Sequence, residues 1–265
     1  MRRLHLFEIG DQPWCPRALR DATTDLLELC FRTWNYYAPI VPRLTAAIER
    51  TDEREIVDLC SGGGGPWPSL LSALGDQSPL RVVLTDKYPN AAGARRVEEA
   101  SNGRIRSDKR SIDAMAVPGD LRGFRTMFTS FHHFRPCDAR TILADAVRSG
   151  MGIGVFEFTG RGPRRFAAVA LTPFAVLYAV PFLRPLRWRT LLFTYLIPVI
   201  PLGVLFDGIV SCLRTYSPSE LDELVEPLRG NGYTWEVGEA RGEASRLPIT
   251  YLLGYPTQNG GGRAD

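Results

Sequence analysis

The sequence predicts an α/β fold built on a seven-stranded, mostly parallel sheet. Two observations carry this. From Glu55 to Phe158 short apolar runs alternate with amphipathic segments in a repeated strand–helix rhythm, which sets parallel strands under helices on both faces. After an apolar interruption the rhythm resumes, with one more helix and two closing strands.

Each element has a local reason. "EIVDL" is the first strand, and "PWPSLLSALG" is a helix opened by prolines and closed by Gly75. "LRVVLTD" is the second strand and "PNAAGARRVEEAS" the second helix of the alternation. "GRIRS", "RTMFTSF" and "GIGVFEF" are three further strands, with "CDARTILADAVRSG" a helix before the last of them. "SPSELDELVEPLRGNG" is a capped amphipathic helix, with Ser217 or Ser219 as its N-cap and Gly230 at its stop. "YTWEVGEA" and "ITYLLGY" close the sheet. Ahead of all this, residues 1–50 read as a helical cap, with Leu26, Leu27, Cys30, Phe31 and Trp34 at helical spacing behind a stiff "PWCP" turn.

The expected organisation is therefore a cap over 1–50, a ligand-binding core over 51–160, an apolar insertion over 161–211, the end of the core sheet over 212–255, and a disordered tail over 256–265. Composition narrows the class. The net charge is +3 and no basic run occurs, which argues against a nucleic-acid partner. Five scattered cysteines form no C-x-x-C pair and no zinc spacing, so no metal is implied, and free thiols fit a reducing cytosol. No apolar stretch of the secretory type follows Met1.

The stretch with the most chemistry is "EIVDLCSGGGGPWPSL". A bare backbone between a strand and a helix lets a ligand approach the carboxyl edge of a sheet. A dinucleotide site needs G-x-G-x-x-G, but Trp67 and Pro68 stand where the third glycine belongs in the two registers. A phosphate loop needs a lysine that is absent. The order Asp58-Leu59-Cys60-Ser61-Gly62-Gly63-Gly64 instead resembles the class I S-adenosylmethionine (SAM)-dependent methyltransferases, in which an acid ending the first strand precedes a glycine-rich turn. Cys60 stands where that family has its first glycine.

The resemblance implies a Rossmann-like fold, SAM as methyl donor and S-adenosylhomocysteine as product. It implies that Asp58 serves the methionine ammonium, that Cys60, Ser61, Gly62 and Gly64 pack on the ligand, and that Asp86 accepts the ribose hydroxyls. It further implies that Asp113 faces the adenine amino group, with Ala114 and Met115 lining the base. Lys87 and Ser130 flank this set.

On the acceptor side, "FTSFHHFRP" follows the fourth strand. His132 or His133 is a candidate to take a proton from a substrate hydroxyl or acidic carbon, with His133 preferred because His132 directly follows the strand end. Glu157 is expected to be either a substrate contact or the buried partner of an arginine such as Arg161. Trp14, Asp207, Arg214 and Tyr216 complete the candidate acceptor set. The stretch "PVIPLGVLFDGIVSCLRTYSPSELDEL" is loosely similar to the same region of ubiquinone and menaquinone C-methyltransferases.

The insertion holds two uncharged runs, 166–183 and 190–206, joined by "RPLRWR". Each run carries two prolines, and the link would take three arginines across a bilayer. An apolar substrate lid is therefore expected, with contact to a membrane surface left open. The expected activity is methylation of a small apolar or amphipathic molecule at O, N or C. The alternatives are a membrane-associated lipid or quinone methyltransferase and a non-catalytic SAM-binding or interaction protein. Oligomeric state is not legible.

Overall fold

A computed structural model describes residues 1–75, 78–184, 186–230, 232–242 and 247–257. The expected tail lies outside the described residues from position 258 onward.

Seven strands form one sheet in the order β3-β2-β1-β4-β5-β7-β6. They are β1 (Glu55–Asp58), β2 (Arg81–Asp86), β3 (Ile105–Ser111), β4 (Phe124–Phe128), β5 (Ile153–Glu157), β6 (Tyr233–Ala240) and β7 (Ile249–Pro256). The first five are parallel, and β7 runs antiparallel to both β5 and β6. Alternation along β1 sends Ile56 to one face and Val57 to the other. Ile56 packs with Val82, Phe124 and Phe156 under α2 (Val41–Glu49), α3 (Trp67–Leu74) and α4 (Ala91–Ala100). Val57 packs with Val83, Met127 and Val155 under α5 (Pro136–Ser149) and α10 (Pro218–Val225). Ser217 caps α10 in a reciprocal box with Glu220, which settles the choice between the two serines.

The chain winds outward from β1 through β2 to β3 and then crosses back to β4 on the other side of β1, which reverses the winding of the sheet. The reversal opens a crevice at the carboxyl ends of β1, β2, β4 and β5. Three segments roof that crevice. One is α1 (Arg17–Trp34), the second is residues 1–16, and the third is the insertion with α6 (Pro163–Ala170), α7 (Thr172–Ala179), α8 (Trp188–Leu191) and α9 (Val199–Arg214).

Residues 1–16 differ from the expected helical cap. They form no helix among the described residues but a strap, held where Asp207 accepts the N–H groups of Ile9 at 2.7 Å and Gly10 at 3.1 Å. The face that α1 buries also differs from the apolar spacing. Asp25 and Glu28 are buried beside Ala22, Leu26 and Phe31, while Leu27 and Trp34 are exposed. Arg96 and Arg187 reach the two acids from α4 and the insertion, which compensates their burial.

Candidate active site

β1 ends at Asp58, and the chain then turns through the glycines. Cys60 at φ 57°, Gly62 at φ 56° and Gly64 at φ 121° all take left-handed backbone. That conformation is strained for a cysteine. Gly64 is fixed by space as well, since a Cβ there would stand 2.7 Å from Val97 Cγ2 on α4. Gly64 therefore does not line the crevice; it seats the loop against α4. Its neighbours Gly62, Gly63 and Gly65 do line it.

Asp58 is buried and accepts a 2.6 Å hydrogen bond from Thr126 Oγ1. Burial pushes its carboxyl up to about 7, against the Thr126 hydrogen bond and with Asp86 adding to the rise. A cation placed beside it would recover the charged form. Asp86 ties the loop to β2, because its two oxygens accept the N–H groups of Gly62 (2.8 Å) and Tyr88 (2.7 Å). Each carboxylate oxygen has a further lone pair for a ligand hydroxyl. Asp113 accepts from Met115 N at 3.0 Å and pairs with Lys87 at 2.8 Å. Ser130 is buried with its hydroxyl unpartnered.

These groups share one cavity of about 850 Å³. Asp58, Cys60, Ser61, Gly62, Asp86, Lys87, Asp113, Ala114, Met115 and Ser130 all line it.

At the other end of the same cavity lie the histidines. Phe131–His133 form a single 3₁₀ turn after β4. Glu157, fully buried at the end of β5, grips His132 twice, through the backbone N–H at 3.0 Å and through ring Nδ1 at 2.8 Å. Burial alone would raise the Glu157 carboxyl, but His132 and then His133 hold it below its ordinary value. Arg161 pairs instead with Glu220, so the arginine partnership considered for Glu157 is not formed. His132 Nε2 has no hydrogen-bond partner, nor does Glu8 Oε1, which stands 3.5 Å away on the strap.

The adjacent His133 is held differently. Its Nδ1 lies 2.6 Å from Asp11 and 3.7 Å from Glu8, both on the strap. Burial pulls its pKa down, but Glu8 and Asp11 outweigh that and push it to about 9.

Arg214 and Tyr216 support this turn from behind. Arg214 donates to the carbonyls of His132 and His133 and to Asp11, and Tyr216 donates to the Phe134 carbonyl at 2.8 Å. Arg3 donates to the same stretch, at Phe134 O (2.9 Å) and His132 O (3.2 Å). Arg214 and Asp207 reach the cavity wall, whereas Tyr216 and the exposed Trp14 do not line it. The site also draws in residues that sequence reasoning did not single out: His5, Glu8 and Asp11 from the strap, Thr24 from α1, and Phe128 and Phe158 from the sheet edge. The strap residues carry no periodicity or motif that could have marked them.

No protein-family model and no curated protein matches this sequence. Solved structures do match. An O-methyltransferase family protein from Burkholderia thailandensis is 17% identical with a TM-score of 0.51, over 90% of this chain and 59% of that one. NcsB1, an O-methyltransferase from neocarzinostatin biosynthesis solved with SAM and 2-hydroxy-5-methyl naphthoic acid, is 15% identical with a TM-score of 0.51, over 88% of this chain and 57% of that one. A SAM-dependent methyltransferase from Aquifex aeolicus is 14% identical with a TM-score of 0.50, over 88% of this chain and 97% of that one. This chain thus spans a little over half the length of the two O-methyltransferases. The likeness establishes the fold: it is that of the class I SAM-dependent methyltransferases.

Proposed function

We propose that this protein transfers the SAM methyl group to a hydroxyl of a small apolar or amphipathic acceptor. The observation that carries the reading is a single cavity with two chemically distinct ends. One end is a glycine loop bracketed by the Asp58 and Asp86 carboxylates. The other is a histidine ring fixed by a buried glutamate.

The donor end suits SAM. Asp58 would face the methionine ammonium, the spare lone pairs of Asp86 would take the ribose hydroxyls, and Ala114 and Met115 would flank the adenine. SAM supplies an electrophilic methyl on a sulfonium. The protein's own contribution is alignment, exclusion of water and proton removal. When His132 donates its Nδ1–H to Glu157, the lone pair of Nε2 is left to accept. As an acceptor hydroxyl took the methyl group that SAM would supply, its proton would pass to Nε2. Glu157 then stabilises the imidazolium. His133 serves the strap. With its pKa near 9 it is cationic at neutral pH and no base.

The bound naphthoic acid of the NcsB1 structure carries a hydroxyl on an apolar ring, and that acceptor class fits the apolar walls here. Hydroxylated lipids and quinols offer the same acceptor chemistry. The test is a panel of apolar hydroxyl compounds incubated with SAM, with release of S-adenosylhomocysteine as readout. A methylated product that disappears in the His132→Ala variant is the expected result. Methylation by that variant at the parent rate would remove His132 from the mechanism.

A further inference from the structure

The insertion has two faces. Inward, Val176, Ala179, Val180, Leu183 and Ile200 pack on Ala22 and Leu26 of α1, and Ala168, Leu171 and Val204 wall the cavity. Outward, the helices are as apolar as they are inside. Phe174 is 70% exposed, Tyr178 72%, Trp188 68% and Leu196 76%, with Phe182 and Leu202 exposed beside them. Two contacts hold part of this outer face together. The Tyr178 and Phe182 rings lie 5.3 Å apart, and Tyr195 OH donates to Leu177 O at 2.6 Å across the gap between α7 and the turn after α8. At the cavity rim, Phe7 of the strap meets Phe206 of α9 at 5.5 Å. Large apolar side chains exposed in this number on one segment point to an interaction site.

Charge selects the occupant. Between Phe158 and Phe206 the chain has six arginines and no acidic residue. Arg184 and Arg189 stand exposed on the same segment, Arg189 over the Trp188 ring at 5.5 Å. A second copy seated face to face would set arginine against arginine, with no carboxylate in the segment to receive it. Anionic lipid headgroups over an apolar interior match both features, since tryptophan, tyrosine and arginine favour the interface while the apolar side chains enter below it. The geometry is that of lying on a bilayer. No single described helix is long and apolar enough to cross one, and the two helix pairs with enough combined apolar length are both bent, Pro163–Ala170 with Thr172–Phe182 by 40° and Trp188–Leu196 with Val199–Arg214 by 77°.

We infer that the outer face of the insertion docks this protein on an anionic membrane surface. This inference stands apart from the methyltransferase reading, and its test separates the two. The full chain is mixed with phosphatidylcholine vesicles, with and without phosphatidylglycerol, and floated on a density gradient, while SAM affinity is measured in parallel. The parent should float with the anionic vesicles, and less so at high salt. The triple variant F174S/Y178S/L196S changes no cavity-lining residue. It should partition at least about tenfold less and bind SAM as the parent does. The R184Q/R189Q variant should fold regardless and should lose the preference for anionic over neutral vesicles. Three results would overturn the inference: a parent that stays with the soluble fraction, a triple variant that floats equally, or a lipid-free dimer that the triple variant converts to monomer while neither protein floats.

Discussion

The two ends of the cavity are built in opposite ways. The donor end is nearly continuous in sequence. Asp58, the glycine loop, Asp86 and Asp113 follow one another along the first three strands, at or just after their carboxyl ends. The acceptor end joins residues from four distant segments: Glu8 and Asp11 on the strap, His132 and His133 after β4, Glu157 at the end of β5 and Arg214 at the end of α9. Local backbone geometry specifies the first end. Long-range charge pairing specifies the second. Substitutions should therefore separate them, with the donor end governing SAM affinity and the acceptor end governing turnover.

The largest effect is expected at the acceptor end. His132→Ala should lower kcat by about 10²–10⁴-fold and leave SAM affinity unchanged, and Glu157→Gln should follow it by loosening the ring. Steady-state kinetics beside a SAM titration would show this. A fall in SAM affinity that matches the fall in rate would merge the two ends. Next comes the donor end. Asp86→Ala removes the tie to Gly62 N and the acceptor proposed for the ribose hydroxyls, and should weaken SAM binding by about 1–3 kcal/mol. Calorimetry that finds unchanged affinity would remove Asp86 from the site.

A smaller, pH-dependent effect belongs to the strap. The folded pKa of His133, about 9, lies above the ordinary histidine value. Its contribution is thus fully present below about pH 6.5 and is lost as pH rises through about 9. Asp11 is the opposite case. Burial opposes its charge, but His133 and Arg214 hold its carboxyl below the ordinary value, so its contribution is lost only in acid. Hydrogen exchange of the strap amides, corrected for intrinsic rate, should accelerate above pH 9 in the parent. His133→Gln should lack that step. The smallest effect is at Cys60. Cys60→Gly places the residue best suited to φ 57° there, and should raise stability by under about 1 kcal/mol. A denaturant melt showing a loss would mean that the thiol's packing outweighs the backbone strain.

The same contrast explains what could be read before the fold was seen. The sheet, the glycine loop and the three acids were legible because each is a local pattern: strand period, turn residue, strand-end carboxylate. Gly64 shows the limit of that reading. It belongs to the motif, yet its role is to clear Val97, a contact visible only in three dimensions. The "HHF" pair was visible as chemistry, but which ring Glu157 grips depends on the register between β4 and β5. Spacing along one strand does not contain that register. Trp14 and Tyr216 stood in the expected acceptor set, and neither lines the cavity. The strap was invisible because Glu8 and Asp11 owe their positions to Asp207 and Arg214, some two hundred residues away. In the insertion, hydropathy marked the apolar runs but could not say that one face would be buried and the other exposed.

The central claim is that the glycine-loop end of the cavity holds SAM with the Asp58 carboxyl against its ammonium, and calorimetric titration at pH 6 and pH 8 tests it most directly. Asp58 is held near 7 in the free protein, so a bound cation must draw off its proton in acid. SAM should bind at both pH values, more tightly at pH 8. Affinity should fall by up to about tenfold for each pH unit below 7, with proton release at pH 6 seen as a dependence of the heat on buffer ionisation enthalpy. Asp58→Asn should abolish the proton release. Absence of SAM binding at both pH values, or preference for a nicotinamide dinucleotide, would contradict the account.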